Sequence, residues 1–143
     1  MDQRVSVVTL GVADLGRARK FYEQGLGWRA SAASGGSIVV YKTGNLLVTL
    51  FPREELAADA GLASAGTPGA FGGITLAYNA GSRDLVDMVM AQAETAGATI
   101  TKQAQEAFWG GYAGAFRDPD GHVWEVAWNP HWFDSEGNVS LSG

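Results

Sequence analysis

The chain has 143 residues, 46% of them hydrophobic and 17% charged, a balance that fits one folded domain and excludes a disordered segment. Net charge is −5 with no cluster of Lys or Arg, so no nucleic-acid partner is expected. The absence of cysteine removes disulfides, thiolate metal sites and a cysteine nucleophile. No apolar run reaches membrane-spanning length and the opening MDQRVSVV lacks the layout of a signal peptide, so no membrane partner and a cytoplasmic location are the expectations.

In chain order, RVSVVTLGV (4–12) reads as an apolar strand. Asp14 then caps a helix carrying Leu15, Ala18 and Tyr22 at helical spacing with Phe21 beside them, and Gly25 and Gly27 offer its stop. Three strands are predicted next, at 28–33, 37–43 and 45–51, with turns at Gly35-Gly36 and Gly44-Asn45. Residues 52–72 are rich in Ala and Gly, and read as a short helical piece at 53–58 followed by a connector.

The pattern then restarts. GITLAYN (73–79) is a predicted strand, and Ser82 caps a helix with an apolar stripe of Leu85, Met88, Val89, Ala93 and Ala96 ending at Gly97. Met88 and Met90 read as packing residues. Strands follow at 98–103, 111–117 and 122–128. Each half is therefore strand, helix, three strands. The expected fold is α+β: two βαβββ modules pairing into one domain. Module one spans 4–51, the connector 52–72, module two 73–130 and the tail 131–143.

The last predicted strand poses a chemical question. In FRDPDGHVWEVAWNP (116–130), Asp118-Pro119-Asp120-Gly121 suits a tight turn, and alternation then puts Val123, Glu125 and Ala127 on one face. His122, Trp124, Val126 and Trp128 take the other, with both tryptophans expected to pack on a helix. Glu125 is thus a carboxylate between apolar neighbours. It reads either as a buried acid paired with Arg4 or Arg117, or as a group that recognises a ligand. In AFWGGYAG (107–114), Trp109 and Tyr112 on a glycine hinge read as walls for a planar ligand, and Phe108 as core. Tyr41 reads as a further lining residue, Trp28 as core, His131 as an exposed tail histidine, and Trp132-Phe133 as a surface or subunit contact.

The duplicated pattern, with TLGVADLGRARKFYEQGLGW near the start and FWGGYAGAFRDPDGHVWEVAWNP near the end, resembles the vicinal oxygen chelate superfamily over roughly residues 4–130. That superfamily includes glyoxalase I, bleomycin resistance proteins and extradiol dioxygenases, and the resemblance implies a curled mixed sheet with a central cavity. Its enzymes hold one divalent metal on ligands from the first and last strand of each module. The resemblance puts those four places at Val7, Val48, Gly73 and Glu125, and only Glu125 has a donor side chain. No cofactor is therefore expected, with a divalent metal as the alternative. The implied function is a metal-independent small-molecule binder of the bleomycin-resistance type, taking a small aromatic or cationic ligand, as a homodimer. Its ligand-binding residues would be Glu125, Trp109, Tyr112, Val7, Val48, Gly73 and Tyr41. The alternatives are a lyase or dioxygenase, metal-assisted or metal-free with Glu125 as general acid/base, and a structural module whose cavity is plugged by Trp109 and Tyr112.

Overall fold

The computed structural model describes residue 1 and residues 3–141. The chain forms two compact units, Met1–Ala70 and Phe71–Gly143, so the first unit extends through most of the expected connector. The fold class is α+β, with one sheet of three strands and one of four.

In the first unit, β1 (Val7–Val12) is followed by α1 (Leu15–Arg19), β2 (Val39–Thr43), β3 (Leu46–Pro52) and α2 (Arg53–Asp59). Asp14 caps α1 by accepting from the Arg17 N–H at 2.8 Å. The helix then widens into a π-helical segment, Lys20–Gly25, closed by the Leu26 N–H donating to the Phe21 carbonyl. The sheet order is β1-β3-β2, with β1 parallel to β3. Pairing puts Val8, Leu10, Val48, Leu50, Tyr41 and Val39 on one face. That face meets the helix, because the Tyr41 hydroxyl donates to Glu23 at 3.2 Å and its ring packs with Tyr22 and Trp28. The opposite face carries Val7, Thr9, Leu47 and Thr49, with the Thr49 hydroxyl donating to that of Thr9 at 2.8 Å. The strand expected at 28–33 is reduced to a bridge between Ala30 and Tyr41. Its Ser and Ala residues have little to pack on a pleated surface, and the Ser31 side chain turns the backbone by accepting from Ala33.

The second unit runs β4 (Thr75–Asn79), α3 (Arg83–Ala96), β5 (Thr99–Glu106), β6 (Tyr112–Arg117) and β7 (Val123–Trp128). The order β4-β7-β6-β5 again sets the first strand parallel to the last. Ser82 caps α3 and Gly97 ends it in the left-handed conformation. The expected stripe is corrected by one residue in its first turns. Val86, Met90 and Ala93 are buried, whereas Leu85 and Met88 are exposed. Met90 packs closely on Gly114 of β6, where a Cβ would stand 2.8 Å from its terminal methyl. Trp124, Val126 and Trp128 lie on this helix-facing side, and the Arg83 guanidinium sits 4.3 Å over the Trp128 ring. The turn into β7 forms as expected: the Gly121 N–H donates to the Asp118 carbonyl, and the Asp118 carboxylate accepts from the Asp120 and His122 N–H groups.

Candidate functional site

Glu125 stands on the face of the second sheet that α3 leaves open. Its neighbours on the same rung are Ala77 of β4 and Ala115 of β6, and the next rung toward the tail carries Asn79, Ala127 and Ala113. Small side chains on both sides make a shallow floor from which the carboxylate projects. Glu125 is exposed, and no described residue gives its carboxylate a hydrogen bond or an ion pair. The expectation of a buried acid locked to an arginine is corrected on this point.

One wall comes from the β5–β6 hairpin. The Gly110 N–H donates to the Ala107 carbonyl and the Ala107 N–H to the Gly111 carbonyl, closing a tight turn whose tip is Phe108-Trp109. Gly110 has φ +90°, a conformation that suits glycine at the exit of such a turn. Gly111 is buried under the Trp109 indole, and a Cβ there would collide with the six-membered ring.

The opposite wall is the tail. After β7, the Asn129 side chain accepts from the His131 N–H and its carbonyl accepts from the Trp132 and Phe133 N–H groups, so the chain reverses at once. Phe133 bridges to Val139, and the Asp134 carboxylate holds the intervening turn by accepting from Glu136 N–H, Asn138 N–H and the Asn138 amide. These donors, the Asn138 backbone foremost, hold the Asp134 carboxyl below the usual carboxylate range. The tail is seated by close approaches at two glycines. A Cβ on Gly137 would lie 2.5 Å from the Asn79 carbonyl oxygen, and one on Gly110 would lie 3.2 Å from His131 Nε2.

Floor and walls line an open pocket of about 450 Å³, within the range of small-molecule sites. Glu125, Asn79, Asn129 and His131 supply its polar groups, and Phe108, Trp109, Trp132 and Phe133 its aromatic ones.

Of the residues assigned to a site from sequence, Glu125 and Trp109 meet here, and the others lie elsewhere. Tyr112 pairs with Trp128, which sets it on the helix-facing side, and its hydroxyl donates to Asp87 at 2.8 Å. That bond raises its pKa. Tyr41 is only 1% exposed, and its pKa is raised by burial and then by the Glu23 charge. Glu23 is itself held low by the hydrogen bond from Arg19. Val48 shares the helix-facing side with Tyr41, whereas Val7 faces the other way, so the two cannot converge on one site. Gly73 precedes β4 with φ +80° and belongs to no strand. Phe108, expected in the core, is fully exposed at the turn tip. His131, Trp132, Phe133, Asn79 and Asn129 escaped sequence reasoning, because a reversal after Asn129-Pro130 brings the tail back. The Asn-Pro pair was the available signal.

A divalent metal fits these residues poorly. Among the four places implied by the resemblance only Glu125 offers a donor, and the pocket adds only His131 of the usual ligand types. Among the described residues no group of three or more His, Cys, Asp or Glu is placed to hold a metal ion, whereas catalytic zinc sites use three protein ligands.

Residues 4–126 match the glyoxalase/bleomycin resistance protein/dioxygenase superfamily. The chain belongs to this superfamily. The structure is similar to that of a glyoxalase-related enzyme from Fulvimarina pelagi, with 31% identity, a TM-score of 0.86 and 99% of each chain covered. It is also similar in fold to a family enzyme from Burkholderia phytofirmans PsJN, with 21% identity, a TM-score of 0.75, and 85% of this chain and 95% of that one covered. A lactoylglutathione lyase from Agrobacterium tumefaciens shares the fold at 23% identity and a TM-score of 0.68, with 92% and 98% covered. No curated protein is significantly similar to the chain in sequence. Among the described residues no helix is long and apolar enough to cross a membrane.

Proposed function

We propose that this superfamily member is a metal-independent small-molecule binding protein, akin in role to the bleomycin-resistance type, and that its site is the pocket of the second unit. One observation carries the reading: a carboxylate without a partner opens into a cavity walled by aromatic rings. A flat organic ligand would stack on Trp109 and Trp132 and set its polar end toward Glu125, Asn79 and Asn129. The open volume speaks against a purely structural module with a plugged cavity, since Tyr112, one of the two supposed plugs, is bonded on the other side of the sheet.

A second reading, a metal-free enzyme, is favoured by the presence of Glu125 and His131 in the same pocket, a carboxylate and an imidazole able to pass a proton. The superfamily's metal-assisted lyases and dioxygenases need a ligand set that these residues do not supply. A homodimer belongs to the same proposal, supported by the exposed Val5 and Val7 in and before β1, apolar side chains that a contact would cover. A thermal-shift screen of aromatic metabolites tests the binder. A ligand at about 100 times its Kd should add roughly 2.7 kcal/mol of stability, and failure of every aromatic compound to raise Tm would count against the pocket.

A further inference from the structure

We infer that the pocket selects organic ammonium cations carried on an apolar or aromatic body. The inference rests on the small-molecule reading above and names its ligand class.

The argument starts from charge. Among the described residues Glu125 is the only acidic one lining the pocket, and the only other ionisable lining group is His131. None of them pairs a cation with the carboxylate. On its rung the sheet supplies Ala77 and Ala115, and Lys102 stands beyond Ala115, outside the pocket lining. An anionic ligand would meet an uncompensated like charge. A neutral ligand would have to cover Glu125 without neutralising it, at a desolvation cost. A cation removes that cost.

The walls select the kind of cation. Phe108, Trp109, Trp132 and Phe133 offer ring faces and edges and few hydrogen-bond acceptors. A small, strongly hydrated ion would find oxygen donors only on the side of Glu125, Asn79 and Asn129 and would gain little from the rings opposite. An alkylated ammonium is weakly hydrated, gains from the ring quadrupoles, and needs no directional bond from the walls. The alanine floor leaves room for its methyl groups beside the carboxylate. Glu125 thus sets the sign of charge, and the aromatic walls set its softness.

The test uses the intact chain and two probes of one shape: benzyltrimethylammonium and its neutral isostere neopentylbenzene. Tryptophan emission is titrated with each, for wild type and Glu125→Gln, with benzenesulfonate as the anionic control. The expected result is that wild type binds the cation at least about tenfold tighter than the isostere, roughly one decade of Kd or 1.4 kcal/mol. Glu125→Gln should narrow that gap, weakening the cation and tightening the isostere, which no longer covers a charge, while the attraction of the rings for the cation remains. Equal wild-type affinity for cation and isostere would overturn the cation assignment and leave the binding pocket standing, as would tighter binding of the anion. Should none of the three bind, the pocket reading falls and this inference falls with it. If Glu125→Gln fails to fold, the wild-type comparison of the isosteric pair still decides.

Discussion

Trp109 lies where a side chain on Gly111 would otherwise be: the buried glycine is covered by the indole ring, and a Cβ would also stand 2.5 Å from the Trp128 carbonyl oxygen. The pocket wall is therefore positioned by the lack of a methyl group two residues away. Gly111→Ala should displace Trp109, shift its emission, and destabilise the chain by roughly 1–3 kcal/mol, the cost of overpacking. Adding Trp109→Ala should recover part of that loss and not all, because the Trp128 carbonyl still obstructs the methyl. Urea melts of the two variants give the comparison, and full recovery in the double variant would show that the ring is the whole obstacle.

Two tyrosines separate the site from the fold. Tyr112→Phe should leave ligand affinity unchanged, because its hydroxyl serves Asp87 across the sheet from Glu125. Tyr41→Ala should cost about 3–5 kcal/mol, as large-to-small changes among packed aromatics do, with affinity in the folded fraction unaltered. A ligand titration showing at least tenfold weaker binding by Tyr112→Phe would return that residue to the pocket.

The reason these tyrosines were misassigned is physical. The strand, helix and turn signals were readable: Asp14 and Ser82 cap, Gly97 terminates, and the Asp118–Gly121 turn closes as its residues dictate. Facing was harder, because a one-residue offset reverses every side chain in a strand. Equivalence to Glu125 requires Val48 on the open face of its sheet. Thr43 and its partner Leu46 lie on the helix side of the first sheet, however, whereas Arg117 and its partner Val123 lie on the open side of the second. Val48, two residues after Leu46, therefore falls on the helix side. The tail was illegible for another reason. His131 and Trp132 have no periodic pattern, and their place depends on close backbone approaches such as that of Gly137 to Asn79. Superfamily resemblance identified the fold from its motifs, while the pocket's second wall was visible only in three dimensions.

The tail wall should depend on pH through Asp134. Its carboxyl pKa is lowered in the folded chain, chiefly by the Asn138 N–H. A depressed folded pKa contributes stability above the unfolded value, near 4, and that contribution is lost as pH falls through the folded pKa. Trp132 and Phe133 should therefore loosen in acid before the sheet does. Asp134→Asn should show faster amide exchange at 131–139 at neutral pH, and the wild type should approach it as pH drops below the carboxylate range. Identical exchange in wild type and variant at neutral pH would remove Asp134 as the anchor.

Glu125→Gln should change the stability of the ligand-free protein by no more than about 0.5 kcal/mol, since the side chain is exposed and lacks a partner. A loss of about 3 kcal/mol or more, the scale of a broken buried ion pair, would mean that this acid holds the fold together and is not waiting for a ligand.

The central claim is that the pocket binds an organic molecule with no metal in it. The most direct measurement is a titration of tryptophan emission with benzyltrimethylammonium, in excess EDTA and again with added Zn²⁺ or Ni²⁺. The account predicts a saturable single-site curve in EDTA, smaller in amplitude in Trp109→Phe because Trp132 alone then reports, with a Kd that added metal leaves unchanged. Binding that disappears in EDTA and returns with one metal ion per chain, dependent on Glu125, would contradict it.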